Sequence, residues 1–190
     1  MLADIAQFLI DTLFGFFVFL LLLRFYMQWL RAPFRNPVGE FVTVLSNWMV
    51  LPVRRIIPGL FGLDWATLLL AWIAEALRWI LLLQLKGMVL GSAGGVALGG
   101  IALLAAVELL RLSLYVLIGV ILVQVVLSWV NPYTPIAPVL DALTRPFYRP
   151  LRRFIPPIGS VDLVPLVVLI LAQILLIALA TLTQSVSRLF

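Results

Sequence analysis

The sequence predicts an all-α membrane protein with four transmembrane helices, built as two tandem parallel repeats. Each repeat is expected to carry an interfacial amphipathic helix and a cytoplasmic arginine turn. Three observations lead there. Of the 190 residues, 64% are hydrophobic and only 11% charged, with a mean hydropathy of +1.20, whereas a soluble domain has about a quarter charged residues. One phrase occurs twice: Leu51-Pro52-Val53-Arg54-Arg55-Ile56-Ile57-Pro58 returns as Arg149-Pro150-Leu151-Arg152-Arg153-Phe154-Ile155-Pro156. Pro52 and Pro150 lie 98 positions apart, as do the downstream acids Asp64 and Asp162, so this stretch aligns without a gap. Finally, eight of the thirteen basic residues fall in two segments, Leu30–Pro58 and Asn131–Val161, and basic residues concentrate in cytoplasmic loops.

The elements follow in order. Leu9–Leu23 makes the first span, and its aromatic flank to Trp29 suits the headgroup level, where Tyr26 and Trp29 can keep a polar edge wet. Met1–Gln7 holds Asp4 and no Lys or Arg, so this span is expected to be retained and not cleaved as a signal peptide. After Asn36-Pro37, the segment Val38–Leu51 sets Val38, Phe41, Val42, Leu45, Trp48 and Met49 at helical spacing. It is too short and too polar to span, which predicts a helix lying in the interface or packed on its own bundle. The first arginine turn follows, with Arg54 and Arg55 between Pro52 and Pro58. Asp64 is then expected to cap the second span, Trp65–Leu85, by accepting from free first-turn amides.

The second repeat answers each element. Leu112–Val130 is an uncharged span that ends at Trp129-Val130-Asn131-Pro132. Ile136, Val139, Leu140, Leu143 and Phe147 repeat the amphipathic segment, which Pro138 and Pro146 interrupt. The second arginine turn holds Arg152 and Arg153 between Pro150 and Pro156, Asp162 caps, and Leu163–Ser187 is the last span. Between the repeats, Gly87, Gly91, Gly95 and Gly99 recur every fourth residue. Such a ladder lets helices approach closely, and the alternative is a flexible linker. The expected division is therefore residues 1–86, a glycine-rich connection at 87–106, and residues 107–190.

Both basic segments are expected on the cytoplasmic side, which requires an even number of crossings between them. The second and third spans supply two. Both termini then lie outside the cytoplasm, and the glycine ladder re-enters or extends the third span.

The chain has no Cys and no His, which excludes disulfides, thiol and imidazole catalysis, and the usual zinc and haem ligand sets. No nucleophile constellation or phosphate-cradling loop is present, so no enzymatic activity and no cofactor are expected. The arginines are too few and too close to the membrane for a nucleic-acid groove. Two features remain. Glu75 and Arg78 share one helical face in mid-span, and Glu108 and Arg111 repeat their spacing. An intramembrane ionisable pair either fixes how helices pack or marks an ion path. The doubled arginines Arg54, Arg55, Arg152 and Arg153 suit anionic lipid headgroups or a partner's acidic surface.

These residues carry a resemblance. Trp29, Asn36-Pro37, Pro52, Arg54-Arg55, Pro58 and Asp64, answered by Trp129, Asn131-Pro132, Pro150, Arg152-Arg153, Pro156 and Asp162, resemble the YggT family of bacterial inner-membrane proteins and its YlmG-like plastid relatives. The first copy departs by an insert before Asn36 and by Thr67 where the second has Pro165. The resemblance implies a multi-pass inner-membrane protein linked to osmotic-stress tolerance and ion homeostasis, and in plastids to haem attachment on a b-type cytochrome or to nucleoid distribution. With neither His nor Cys, any haem role here would be that of an assembly helper. The expected function is thus non-enzymatic support of envelope homeostasis or membrane-complex assembly through the basic turns. The alternative is a small ion or proton transporter using Glu75 and Arg78.

Overall fold

A computed structural model of the chain describes residues 1–59, 62–87, 94–155 and 162–187. Among these, the chain forms six helices and no strand element: α1 Leu2–Trp29, α2 Pro37–Ile56, α3 Trp65–Leu85, α4 Gly94–Val130, α5 Ala137–Leu151 and α6 Val164–Ser187. Four contain stretches long and apolar enough to cross a bilayer: Leu2–Trp29, Trp65–Leu85, Leu98–Val130 and Val164–Ser185. Their outward faces are apolar as well, with Phe8, Leu13, Phe16, Leu122, Ile170, Ile174 and Ile177 exposed. In water such surface would drive aggregation, and in a bilayer it is the solvated face. The protein is an all-helical, multi-pass membrane protein.

Helix α1 packs along α3, and α4 packs along both α3 and α6. The main core gathers Val18 and Leu20–Leu23 of α1, Val42 and Val50 of α2, Ala71 of α3, Leu109 and Val116 of α4, and Val139 and Leu143 of α5. A smaller core joins Ile121, Tyr148, Val164 and Val168. The short helices α2 and α5 are therefore packed against the bundle along one face. Their other faces expose Phe41, Val44, Trp48 and Leu51 on α2, and Phe147 on α5.

Local chemistry explains the helix ends. Asn36 caps α2, its Oδ1 accepting from the amides of Val38 and Gly39 at 3.0 Å each, with Pro37 at the first helical position. Gly39 is required there, because a Cβ would lie 2.3 Å from the Phe34 carbonyl oxygen. Gly87 closes α3 at φ +76, the left-handed conformation that glycine adopts without steric cost.

The arginine turns differ from the sequence expectation. Helix α2 runs through Pro52 to Ile56, so Arg54 and Arg55 sit in its last turn and not in a turn outside it. Pro52 forfeits one backbone hydrogen bond, while the two guanidinium groups favour the negative end of the helix dipole. In the second half Arg149 occupies the last turn of α5, Arg152 its C-cap, and Arg153 the turn beyond. Asn131 does not cap α5 as Asn36 caps α2, since that helix starts only at Ala137. Its Oδ1 accepts instead from the Tyr133 amide at 3.3 Å. From Gly94 onward the glycine-rich stretch is helical and continuous with the third span. Gly91 and Pro156 lie outside the described residues.

Candidate functional site

The polar residues of this apolar chain form two buried clusters and one exposed basic surface. The first cluster joins the end of α1, the length of α2 and the start of α3. Arg24 is buried within the last turns of α1, and its Nη1 donates to Ser46 Oγ at 2.6 Å and to Asn47 Oδ1 at 2.8 Å on α2. Arg54, in the last turn of α2, donates through Nε to Asp64 Oδ1 at 3.3 Å. Its Nη2 bonds to both Asp64 Oδ2 and Gln28 Oε1. Asp64 in turn accepts from the Thr67 amide at 3.4 Å and from the Thr67 hydroxyl at 2.5 Å, so it is the N-cap of α3 as expected. Burial pushes the Asp64 carboxyl up, but hydrogen bonds from Arg54 and Thr67 outweigh it and hold the group below its ordinary range.

The second half repeats this contact more loosely. Arg152 Nη2 lies 2.8 Å from Asp162 Oδ2, again ten residues away, and Asp162 Oδ1 accepts from the Val164 amide at 2.9 Å. Here the Asp162 side chain is 38% exposed, whereas that of Asp64 is fully buried. Where Thr67 donates twice to Asp64, the second copy has Pro165, which offers neither an amide proton nor a hydroxyl. Burial, with the Asp162 carboxylate adding to it, pushes the Tyr148 hydroxyl up to about 12.

The second cluster lies within the spans. Arg78 Nε donates to Glu75 Oε1 at 2.7 Å and Nη1 to Asp11 Oδ1 at 2.7 Å. Glu108 Oε1 approaches Arg78 Nη2 at 3.9 Å, and Arg111 lies 3.6 Å from the other oxygen of Glu108. Three carboxylates and two guanidinium groups on α1, α3 and α4 thus form one linked set, and the Trp72 indole adds a hydrogen bond to the Ala102 carbonyl at 3.1 Å.

The exposed basic surface consists of Arg31, Arg35, Arg55, Arg145, Arg149 and Arg153. None has an ion-pair partner among the described residues. Of the four doubled arginines, then, Arg54 and Arg152 hold aspartates, while Arg55 and Arg153 are free to face outward. Pairing within the sequence revealed Glu75 with Arg78 and Glu108 with Arg111. It did not reveal Arg24, Gln28 or the link to Asp11, because no local spacing connects residues on different helices.

This is a multi-pass helical membrane protein whose buried charges tie spans to short amphipathic helices. The chain belongs to the CCB3/YggT family, whose profile matches residues 3–85 and 103–183. It is 37% identical over 167 residues to an uncharacterized protein from the proC 3' region of Vibrio alginolyticus, covering 86% of this chain and 87% of that protein. It is 32% identical over 180 residues to the uncharacterized protein YggT of Escherichia coli K12, covering 94% and 90% respectively. The uncharacterized protein PA0392 of Pseudomonas aeruginosa is 31% identical over 163 residues, covering 85% and 81%. No solved structure matches the chain.

Proposed function

We propose that the protein is a non-enzymatic component of the bacterial inner membrane that engages anionic lipid, or the acidic surface of a membrane complex, through the basic cytoplasmic ends of α2 and α5. In this reading both termini are periplasmic, and the protein supports osmotic-stress tolerance, envelope homeostasis or complex assembly. The observation that carries it is the division of the arginines. Arg54 and Arg152 are tied to Asp64 and Asp162, and they hold Arg55 and Arg153 outward beside the exposed Ile56 and Phe154. A basic group flanked by an apolar side chain suits a headgroup layer, where each arginine contributes about 1 kcal/mol. The buried cluster around Arg78 supports a packing role over an ion path, because that guanidinium is met by fixed carboxylates on three helices.

The test is binding of the purified protein to immobilised vesicles containing anionic lipid, over a range of salt. Replacing Arg55 and Arg153 by Gln is expected to weaken binding and flatten its salt dependence. Unchanged lipid preference combined with scrambled orientation in cells would reduce these arginines to topogenic signals. Growth of cells lacking the protein after hyperosmotic shock tests the physiological half of the proposal.

A further inference from the structure

A cavity of about 620 Å3 lies between α4 and α5, lined by polar side chains. Its wall includes Gln124 of α4, Asp141 and Tyr148 of α5, and Arg145, Arg149 and Arg152. Its origin shows when the two halves are set side by side. The step of 100 residues from Trp29 to Trp129 takes Arg24 to Gln124, and the step of 98 from Pro52 to Pro150 takes Ser46 to Thr144 and Asn47 to Arg145. In the first half the Arg24 guanidinium fills the junction and bonds to Ser46 and Asn47. In the second half the spanning helix supplies a shorter, neutral amide, and the guanidinium has moved to α5.

The second junction is not closed by its own residues. Gln124 Nε2 donates to Asp141 at 2.6 Å, but Gln124 Oε1 is buried without a hydrogen-bond partner among the described residues. Thr144 turns its hydroxyl to the Leu140 carbonyl at 2.9 Å. Arg152 is matched by Asp162. Arg145 and Arg149, four residues apart on one helix, have no ion-pair partner among the described residues, and like charges at that spacing destabilise a helix unless something lies between them. With Asp141 offsetting one of the two, the cavity carries about one uncompensated positive charge.

We propose that this cavity binds a phosphodiester monoanion, the headgroup phosphate of an anionic glycerophospholipid. The guanidinium fork matches phosphate oxygens two at a time, which a lysine cannot do. Asp141 disfavours a second negative charge and accepts from a headgroup hydroxyl. A lipid is the source that fits, because the neighbouring positions Leu143, Pro146 and Phe147 line an apolar groove of about 520 Å3 together with Trp29, Leu117 and Leu179. One short helix thus offers arginines for a phosphate and an apolar wall for acyl chain. The assignment rests on the lipid-engaging reading above but places the specific site on Arg145 and Arg149, which that reading does not use.

The test uses the full-length protein in detergent, with retained lipid counted by native mass spectrometry. Short-chain phosphatidylglycerol is expected to be retained in preference to phosphatidylcholine of equal chain length. The R145Q/R149Q variant is expected to lose about thirtyfold in affinity, two arginines' share. R145K/R149K keeps both charges and loses the forks, so it should fall between. R55Q/R153Q should leave this site intact, which separates its failure from failure of the broader proposal. Equal retention of the two lipids, or wild-type retention by a folded R145Q/R149Q protein, overturns the site. Competition by glycerophosphoglycerol or inorganic phosphate as strong as that of the lipid overturns the lipid source.

Discussion

Arg78 Nη1 and Asp11 Oδ1 meet at 2.7 Å although 67 residues separate them. The contact ties α1 to α3 inside the membrane, and the same guanidinium holds Glu75 on its own helix. Replacing Arg78 by Gln leaves Glu75 fully buried with no cation within reach, and breaking such a pair costs about 3–5 kcal/mol. The expected result is a large fall in thermal midpoint in detergent for Arg78→Gln, with much of it restored in Glu75→Gln/Arg78→Gln. Asp11→Asn leaves the guanidinium with Glu75 and Glu108, so it should cost less than Arg78→Gln. An Asp11 variant as damaging as the Arg78 variant would contradict this ranking.

The two aspartate contacts should differ in weight. Asp64→Asn removes a buried acceptor used by Arg54 and Thr67, and is expected to destabilise by about 2 kcal/mol or more. Asp162→Asn breaks an exposed pair and should cost less than about 1 kcal/mol. The Asp64 carboxyl is held below its ordinary value of 3.8 when folded. Its contribution is therefore complete above that value and is lost as pH falls through the lower folded value. Acid unfolding followed by circular dichroism should shift in Asp64→Asn relative to the parent protein, and a superimposable acid limb would remove Asp64 from this role.

Much of this was legible beforehand, for identifiable reasons. Asp64 reads as a cap because capping is local, and Glu75 with Arg78 because three residues make one helical step. The four spans follow from apolar length alone. The end of α2 is not legible because Pro52 and Pro58 look like a bracketed turn, whereas the helix absorbs Pro52 and gains two arginines at its C-terminus. Arg24 has no local signal of its role. Its partners Ser46 and Asn47 lie on another helix, and nothing in the sequence between them specifies the fold-back. The cavity beside Gln124 was invisible for the same reason, since a void exists only once two helices have packed.

Arg24 should be the attachment point of α2. Arg24→Leu keeps α1 apolar but strips Ser46 and Asn47 of their donor. Helix α2 is then expected to loosen while the spans persist. Limited proteolysis in detergent should cut within residues 31–59 faster in this variant than in the parent, and equal cutting rates would show that apolar contacts alone seat the helix.

Tyr148 offers a substitution that should not harm. Its hydroxyl is buried with no hydrogen-bond partner among the described residues, a condition that costs about 1–3 kcal/mol. Tyr148→Phe is therefore expected to be neutral or stabilising by up to about 1 kcal/mol. Because that hydroxyl is held up to about 12, the substitution should also leave the tyrosinate absorbance gained below pH 11 nearly unchanged. A clear loss of stability would mean the hydroxyl has a partner.

Orientation can be checked with single cysteines, since the chain has no thiol of its own. Ser46 and Thr144 are unsuitable because both are buried, but Glu40 and Tyr133 are exposed. Cysteines at both places should resist an impermeant reagent in intact cells and react after permeabilisation. Labelling of only one would put the basic segments on opposite faces.

The pairing of charges also orders events during synthesis. As α1 leaves the ribosome, Arg24 enters an apolar surrounding with no acceptor, and it acquires one only when Ser46 and Asn47 follow. Asp11 must wait for Arg78, whereas Arg54 waits only ten residues for Asp64. By residue 87 each of these waits has ended, and Glu108 with Arg111 arrives from the later chain. The nascent protein therefore passes through a stage in which the buried arginines of its first half have all met their acceptors, leaving α4 a settled surface to pack against.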